Sequence, residues 1–436
     1  MLHNRRAHLA ILAAVVAALA AVTLVVHWYA NSPVLIGYWW VGALVIAACL
    51  AAFIKGRRYT HLPPAEGRVL AIIPAYNEDP EALRVCVQSM LDQTRPVDAI
   101  IVVDDGSAEP VISSVTDDRV HWIRQENTGK RGAQVAALRL ARREDWEYIL
   151  TVDSDSELFP TALKELLRAM SEPSVQAATG MIYVRNYQQN ILTRAADIDI
   201  GSSCVMMRAS RSMLGALETT SGALALYRSD LLYDHLDAYA VECGTGDDRW
   251  LALRALERGE VVAVAEALVR TDMPPTLRAT FKQRLRWSRS WFWMIPYVLT
   301  RLSNKQILSP VLGMIQLAVT PLLVAWIALV SVIDIDARLA RWHVLALYVG
   351  AYLVLRFAVS GMYLVDRCDM PRGQKLVSWL VGTPAAILLN VGLLTPTRYY
   401  SLMQLGNAQW SNREVQHQGA KHRKERGRYR LEGARA

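Results

Sequence analysis

Hydrophobic positions along this chain cluster at two length scales. Residues 9–28 (LAILAAVVAALAAVTLVVHW) and 33–54 (PVLIGYWWVGALVIAACLAAFI) are apolar runs without a charge. Each reaches the roughly 20 residues that a helix needs to cross a bilayer core. Residues 307–333 and 343–365 are also apolar and long enough to span. In the polar middle, about 60–285, the apolar runs shrink to strand length at 69–74 (VLAIIP), 97–103 (VDAIIVV), 120–123 (VHWI) and 148–152 (YILTV). Helical patterns follow at 80–93, at VAALRLARR after residue 134, and at 249–258. Short β-branched runs alternating with helical stretches predict an α/β domain, a parallel sheet with crossover helices, attached to all-α membrane segments.

Charge orients these segments. Arg5 and Arg6 precede the first run, Lys55, Arg57 and Arg58 follow the second, and residues 29–32 between them carry no charge. The positive-inside rule makes this pair a hairpin with both outer ends cytoplasmic, which puts the polar middle in the cytosol. A second apolar run directly after the first, without a clear small-residue cleavage site, predicts a retained span and not a removed signal peptide. Arg356 lies inside the span 343–365, where a charge is costly, so it needs either a water-lined path or a protein partner. Residues 376–395 pose a conflict, because a full crossing would leave the basic tail 413–436 outside. Pro384 and Pro396 also weaken a straight span, so this segment is expected to dip into the membrane or lie in it without crossing.

Composition adds little beyond this. The chain has 436 residues, is 53% hydrophobic and has a net charge of +8. The basic excess sits largely in the tail, which suits anionic lipid headgroups and not nucleic acid. Five scattered cysteines without a C-x-x-C exclude a zinc or disulfide framework and fit a reducing compartment.

Candidate chemistry sits where the predicted strands end, which is where open α/β sheets bind ligands. Those ends read PAYNED (74–79), DDGS (104–107) and DSDS (153–156). Aspartate at a strand end is often only a turn or cap residue. Asp153 and Asp155, two apart at a strand-to-loop junction, can instead approach one hard divalent ion such as Mg²⁺ or Mn²⁺. A nucleoside diphosphate leaving group requires such an ion. In NTGKRGAQ (127–134), Lys130 and Arg131 stand between glycines before a helical pattern, a setting that suits phosphate. In GTGDDR (244–249), Asp247 and Asp248 are adjacent, so one of them can be raised in pKa and act as a base, and one can cap the following helix. KQRLRWSRSW (282–291) combines cations and indoles just before the apolar span. Leu277, Phe281 and Leu285 recur every four residues, as expected of an amphipathic helix at the membrane surface.

PAYNED, DDGS, DSDS, GDDR and QRLRW occur in the order found in membrane-bound processive family 2 glycosyltransferases, and the last resembles their Q-x-x-R-W signature. The chain is similar to hyaluronan synthases and rhizobial chitin-oligosaccharide synthases over roughly 68–300, with GKR (129–131) and TTSGALALYR (219–228) as supporting stretches. The resemblance implies a cytosolic GT-A-type domain with a Rossmann-like mixed sheet. It implies that Tyr76, Glu78 and Asp105 hold the uridine, that Lys130 and Arg131 approach the diphosphate, and that Asp153 contacts the nucleotide while Asp155, with Asp153, holds Mg²⁺ or Mn²⁺. Asp248, beside Asp247, becomes the general base, and Gln283, Arg286 and Trp287 form the acceptor and pyrophosphate end. Residues 394–413 give a weaker echo, in which WSNR, with Trp410 and Arg413, replaces the W-G-T-R of hyaluronan synthases. Ser411 and Asn412 depart from that pattern and put a gating role for Trp410 in doubt.

These readings divide the chain into an N-terminal hairpin (1–58), a cytosolic transferase domain (59–275), interfacial helices carrying QRLRW (276–306), a membrane helix pair (307–365), a re-entrant or interfacial segment (376–412) and a basic cytosolic tail (413–436). They imply an inverting, multi-pass plasma-membrane enzyme that polymerises UDP-sugars and exports the growing polysaccharide, alone or as a homo-oligomer. UDP-GlcNAc with UDP-GlcA, as in hyaluronan synthesis, and UDP-GlcNAc alone, as in chitin synthesis, both fit. A non-catalytic scaffold with a decayed transferase domain fits poorly, because the motif residues are intact.

Overall fold

A computed structural model describes residues 5–29, 40, 52, 56, 59–111, 115–243, 246–333 and 336–405. Most of the expected second span (33–54), Trp410, Arg413 and the basic tail lie outside the described residues.

The polar middle folds on an eight-stranded mixed sheet. Its strands are β1 (Val69–Ala75), β2 (Ala99–Asp104), β3 (Val120–Arg124), β4 (Tyr148–Thr151), β5 (Glu157–Leu158), β6 (Val175–Val184), β7 (Ala225–Arg228) and β8 (Glu260–Thr271), in the order 3-2-1-4-7-6-8-5. The strands expected from the sequence, β1 to β4, run parallel to one another. β7 is antiparallel to both β4 and β6, which reverses direction across the sheet. β1 is buried along its whole length, as expected for a strand covered on both faces. Val69, Ala71 and Ile73 face one layer, with Leu83, Leu163 and Leu166. Leu70 and Ile72 face the other, with Ala133, Val135, Leu251 and Leu256. Side chains that alternate along a strand thus feed two cores.

A third core joins this domain to the apolar helices through Tyr183, Ile198, Val205, Val359, Tyr363 and Ala386. The helix Ile191–Ser203 is its hub. A Cβ on Gly201 would lie 2.4 Å from the Tyr363 ring, so only glycine lets this helix approach the helix Asp336–Asp366 so closely. Arg367, fully buried, locks the junction: it pairs with Asp197 and donates to Tyr363 Oη (2.7 Å), Val184 O (2.7 Å) and Asp369 Oδ1 (2.9 Å). Removing one partner of a buried pair strands the other charge, at a cost of about 3–5 kcal/mol. Arg367→Met is therefore expected to lower the thermal unfolding midpoint of detergent-purified protein markedly, whereas Arg84→Met, whose Glu81 partner is exposed, should leave it nearly unchanged.

Helices at Arg6–Leu24, Val349–Asp366 and Arg372–Met403 are long and apolar enough to cross a membrane. The expected span 307–333 lies within a single helix, Asn304–Ile333. Residues 372–403 form one helical run despite its prolines. Widened π turns at Ser378–Gly382 and Asn390–Leu394 immediately precede Thr383-Pro384 and Thr395-Pro396. Such turns take up the hydrogen bonds that proline cannot donate. The run lies along the helix Ile191–Ser203, where Arg194 donates to Ser378 Oγ (2.8 Å) and Gln374 Oε1 (3.0 Å). Its opposite face exposes Leu376, Leu380, Leu388 and Val391.

Candidate active site

The parallel register aligns the acidic strand ends. Ala75 pairs with Asp104, and Asp105 N donates to Ala75 O (2.9 Å). Of the DDGS pair, Asp104 is structural: it is buried, pairs with Arg124 (2.8 Å) and accepts from Ser107 N and Val111 N. Asp105 turns the other way and clamps the next motif, accepting from Gln125 Nε2 (2.7 Å), Thr128 N (2.9 Å) and Gly129 N (2.7 Å). Burial raises its pKa, and these hydrogen bonds oppose the rise. Gly129, at φ +84°, then turns the chain into the helix Lys130–Leu140. The helix therefore begins at Lys130 itself, ahead of the pattern seen in the sequence.

Lys130 is the centre of the site. Its Nζ lies 2.6 Å from Asp153 Oδ1 and 3.3 Å from Asp247 Oδ2, so it joins DSDS to GDDR across 94 residues of chain. Burial disfavours its ammonium form, but Asp153, Asp247 and Asp248 outweigh this and hold its pKa well above the usual lysine value. Asp153 N donates to Gly222 O (2.9 Å), and a Cβ on Gly222 would sit 2.7 Å from Asp153 Oδ2 and 2.8 Å from Lys130 Nζ. Gly222 keeps this wall of the pocket open. On the other side, Ser154 Oγ donates to Glu78 Oε2 (2.7 Å), which ties PAYNED to DSDS, while Tyr76 lies partly buried just beyond β1. Asp155 accepts from Thr271 Oγ1 (3.2 Å) at the end of β8. Burial, the charge of Asp153 and that of Glu78 push Asp155 up to about 7. Three carboxylates sharing one corner carry a charge excess that a hard divalent cation relieves. Among the described residues no group of three His, Cys, Asp or Glu side chains forms a complete metal site. The donor set thus suits Mg²⁺ or Mn²⁺, which are commonly held by one or two carboxylates with phosphate and water supplying the rest.

GDDR is built as a helix start. Gly246, at φ +104°, is the cap residue of the helix Asp247–Arg258, so neither aspartate caps it and both lie in its first turn. A Cβ on Gly246 would lie 2.1 Å from Ser290 Oγ, which shows how closely GDDR abuts the helix Leu277–Arg301 that carries QRLRW. Burial alone would raise Asp247, but Lys130 and Arg286 hold it below the usual carboxylate range. Burial, with the charges of Asp247 and Asp153, pushes Asp248 up to about 7 against the pull of Lys130 and Arg286. Two adjacent aspartates are thereby pushed apart in pKa, Asp247 down and Asp248 up. Thr220 Oγ1 donates to Asp248 O (3.1 Å), and Glu218, just before TTSGALALYR, lies between Arg211 (2.7 Å) and Arg249 (3.7 Å), so GDDR is fastened to this stretch and to the residue preceding it.

Of the sequence-predicted residues, Glu78, Lys130, Asp153, Asp155, Asp247, Asp248 and Arg286 converge. Arg131 acts on Cys243, just before GDDR. Gln283 is partly buried, and Trp287 is 40% exposed, with Arg284 stacked 4.7 Å from its ring. Sequence alone does not mark Ser154 or Thr271; Gly222 lies in TTSGALALYR, which resembles a family segment and carries the signal for it.

A parallel half-sheet completed by a reversed strand, with its carboxylates gathered at one rim, defines the GT-A class of glycosyltransferase. A mannosyltransferase from Pyrobaculum calidifontis, solved with GDP-Man and Mn²⁺, superposes on this fold with a TM-score of 0.50 at 16% identity, over 91% of this chain and 98% of that one. The glycosyl transferase family 2 model matches residues 70–236. The hyaluronan synthase of Streptococcus pyogenes is 32% identical over 378 residues, covering 80% of this chain and 84% of its own. An N-acetylglucosaminyltransferase of Bradyrhizobium diazoefficiens is 30% identical over 365 residues, covering 79% and 71%. The chain belongs to glycosyltransferase family 2 and resembles its membrane-bound processive members.

Proposed function

We propose that this protein is a processive, inverting plasma-membrane glycosyltransferase that builds an extracellular polysaccharide from UDP-GlcNAc and UDP-GlcA, as a hyaluronan synthase does. The observation that carries this reading is the placement of Lys130 between Asp153 at the donor end and Asp247 at the acceptor end. Tyr76, Glu78 and Asp105 border the nucleoside, Lys130 and Arg131 serve the diphosphate, and Asp153 and Asp155 hold Mg²⁺ or Mn²⁺. The bound ion supplies neutralisation of the charge that develops on the leaving diphosphate. Asp248 takes the proton of the acceptor hydroxyl as its oxygen attacks the anomeric carbon from the face opposite UDP. Arg286 sits where it can meet phosphate oxygens, and Trp287 offers a ring face to the acceptor sugar. When UDP occupies the site, its phosphates compete with Asp153 and Asp247 for Lys130, so donor binding is coupled to the state of the base.

The catalytic domain lies in the cytosol, and the polymer leaves through the chain's own spans, with or without a second copy. The face of the 372–403 run packed on the domain, and its apolar opposite face, support an interfacial or re-entrant course for this segment.

Purified protein in lipid, with Mg²⁺ or Mn²⁺, is expected to release UDP and make long polymer only when UDP-GlcNAc and UDP-GlcA are supplied together, and hyaluronidase should digest the product. Polymer from UDP-GlcNAc alone, digested by chitinase, would replace this reading with chitin synthesis, which the similarity to the rhizobial N-acetylglucosaminyltransferase favours.

A further inference from the structure

Next to Trp287, four elements meet at Asp199. Arg284 reaches its Oδ2 at 3.1 Å, Arg356 reaches its Oδ1 at 4.0 Å, and Asn390 Nδ2 donates to Oδ1 at 3.3 Å. Both arginine side chains are 14% exposed and Asp199 is 11% exposed. Arg398 adds a further positive charge that acts on Arg284. One carboxylate therefore faces several cations, and the charges do not balance.

The hydrogen bonds do not balance either. Nε of both Arg284 and Arg356 is shut off from solvent without a hydrogen-bond partner, and Arg356 Nη2 meets Asp199 only at 4.0 Å. A guanidinium carries five donors in a fixed fork, and buried charged donors left unmet are costly. The group that matches such forks is an oxyanion, above all a carboxylate taken two-pronged. Location narrows the source. Arg284 stacks on Trp287, at the proposed acceptor end, while Arg356 belongs to the membrane-span candidate Val349–Asp366. The cluster thus joins the proposed acceptor end, through Trp287, to the helices through which the polymer leaves.

We propose that Arg284 and Arg356 bind the carboxylate of a uronic acid unit in the growing polysaccharide, with Asp199, itself fixed by Asn390, holding the two guanidiniums in place between successive units. The inference rests on the two-sugar reading and adds a subsite that favours an acidic chain over a neutral one. Binding exchanges the weak 4.0 Å Asp199–Arg356 contact for a closer ion pair, and the chain moves on as the next uronate arrives.

The test compares two oligosaccharide probes of equal length on the purified full chain in phosphatidylcholine nanodiscs, without nucleotide sugars: a hyaluronan hexasaccharide and neutral chitohexaose. Wild type should bind the acidic probe roughly tenfold or more tightly, the scale of one charge-assisted contact, and added NaCl should erode the difference. Arg356→Gln should bring the two probes near parity while leaving chitohexaose binding unchanged, and Arg356→Lys should restore part of the preference. Equal binding of both probes to wild type, which needs no variant to fold, would overturn the proposal. So would a preference that survives in Arg356→Gln. Polymer from UDP-GlcNAc alone would sink the two-sugar reading itself; two-sugar polymer with no acidic preference would sink only the subsite.

Discussion

Replacing Asp248 with Asn is expected to cut polymer synthesis by about 10²–10⁴-fold, the range that a positioned general base contributes. The loss should fall on kcat, because Asn keeps the shape of the residue and leaves Lys130, Asp153 and Asp155 to bind the donor. The pH profile separates this role from a structural one. A base at Asp248 acts as a carboxylate, and the environment of Asp248 pushes it up to about 7. The wild-type rate should therefore climb as pH rises through about 7, and the residual activity of Asp248→Asn should lose that limb. Asp247→Asn is expected to behave differently. Lys130 and Arg286 already keep Asp247 ionised, so its removal should weaken donor binding and shift the limb without erasing it. Full polymer synthesis by Asp248→Asn would transfer the base role to another group.

The second large effect concerns the divalent ion. Chelation by EDTA is expected to stop UDP release, and Mg²⁺ or Mn²⁺ should restore it. Asp155→Asn should lower activity by roughly 10³-fold, in keeping with the several kcal/mol that an ion contributes at a developing charge, and added metal should not rescue it. Stability gives an independent readout. In the metal-free protein, burial and the charges of Asp153 and Glu78 disfavour the Asp155 carboxylate, so the substitution removes a repulsion. The variant should unfold at or above the wild-type temperature without metal, and metal should raise its melting temperature less than that of wild type. A variant destabilised in the absence of metal would mark Asp155 as a fold residue.

Much of this site was legible because its motifs are local. PAYNED, DDGS and DSDS each follow a run of β-branched residues, and a parallel sheet must bring such ends to one rim. β6 was harder to see: Ala177, Ala178 and Gly180 occupy positions where bulky residues would announce a strand, and a Cβ on Gly180 would meet Ala267 O at 2.4 Å. That close approach to β8 demands small side chains, and small side chains erase the period. β7 is as short as β4 but reads Ala-Leu-Tyr-Arg, without the β-branched residues of Tyr-Ile-Leu-Thr. Pro384 and Pro396 argued against a continuous helix at 372–403, and the widened turns before them absorb the missing donors.

The sequence by itself determined the α/β plan of the polar domain, the helices that flank it, the acidic strand ends and the residue types available for donor, metal and acceptor. Those follow from periodicity, charge and chain-local chemistry. Only the tertiary structure decided that Lys130 bridges Asp153 and Asp247, that Gly246 and not an aspartate caps the GDDR helix, and that Arg356 faces Asp199. The cap is a local backbone choice, but the two pairings depend on groups dozens to hundreds of residues apart meeting in a shared low-dielectric space, where distance and burial set both the pairing and the protonation.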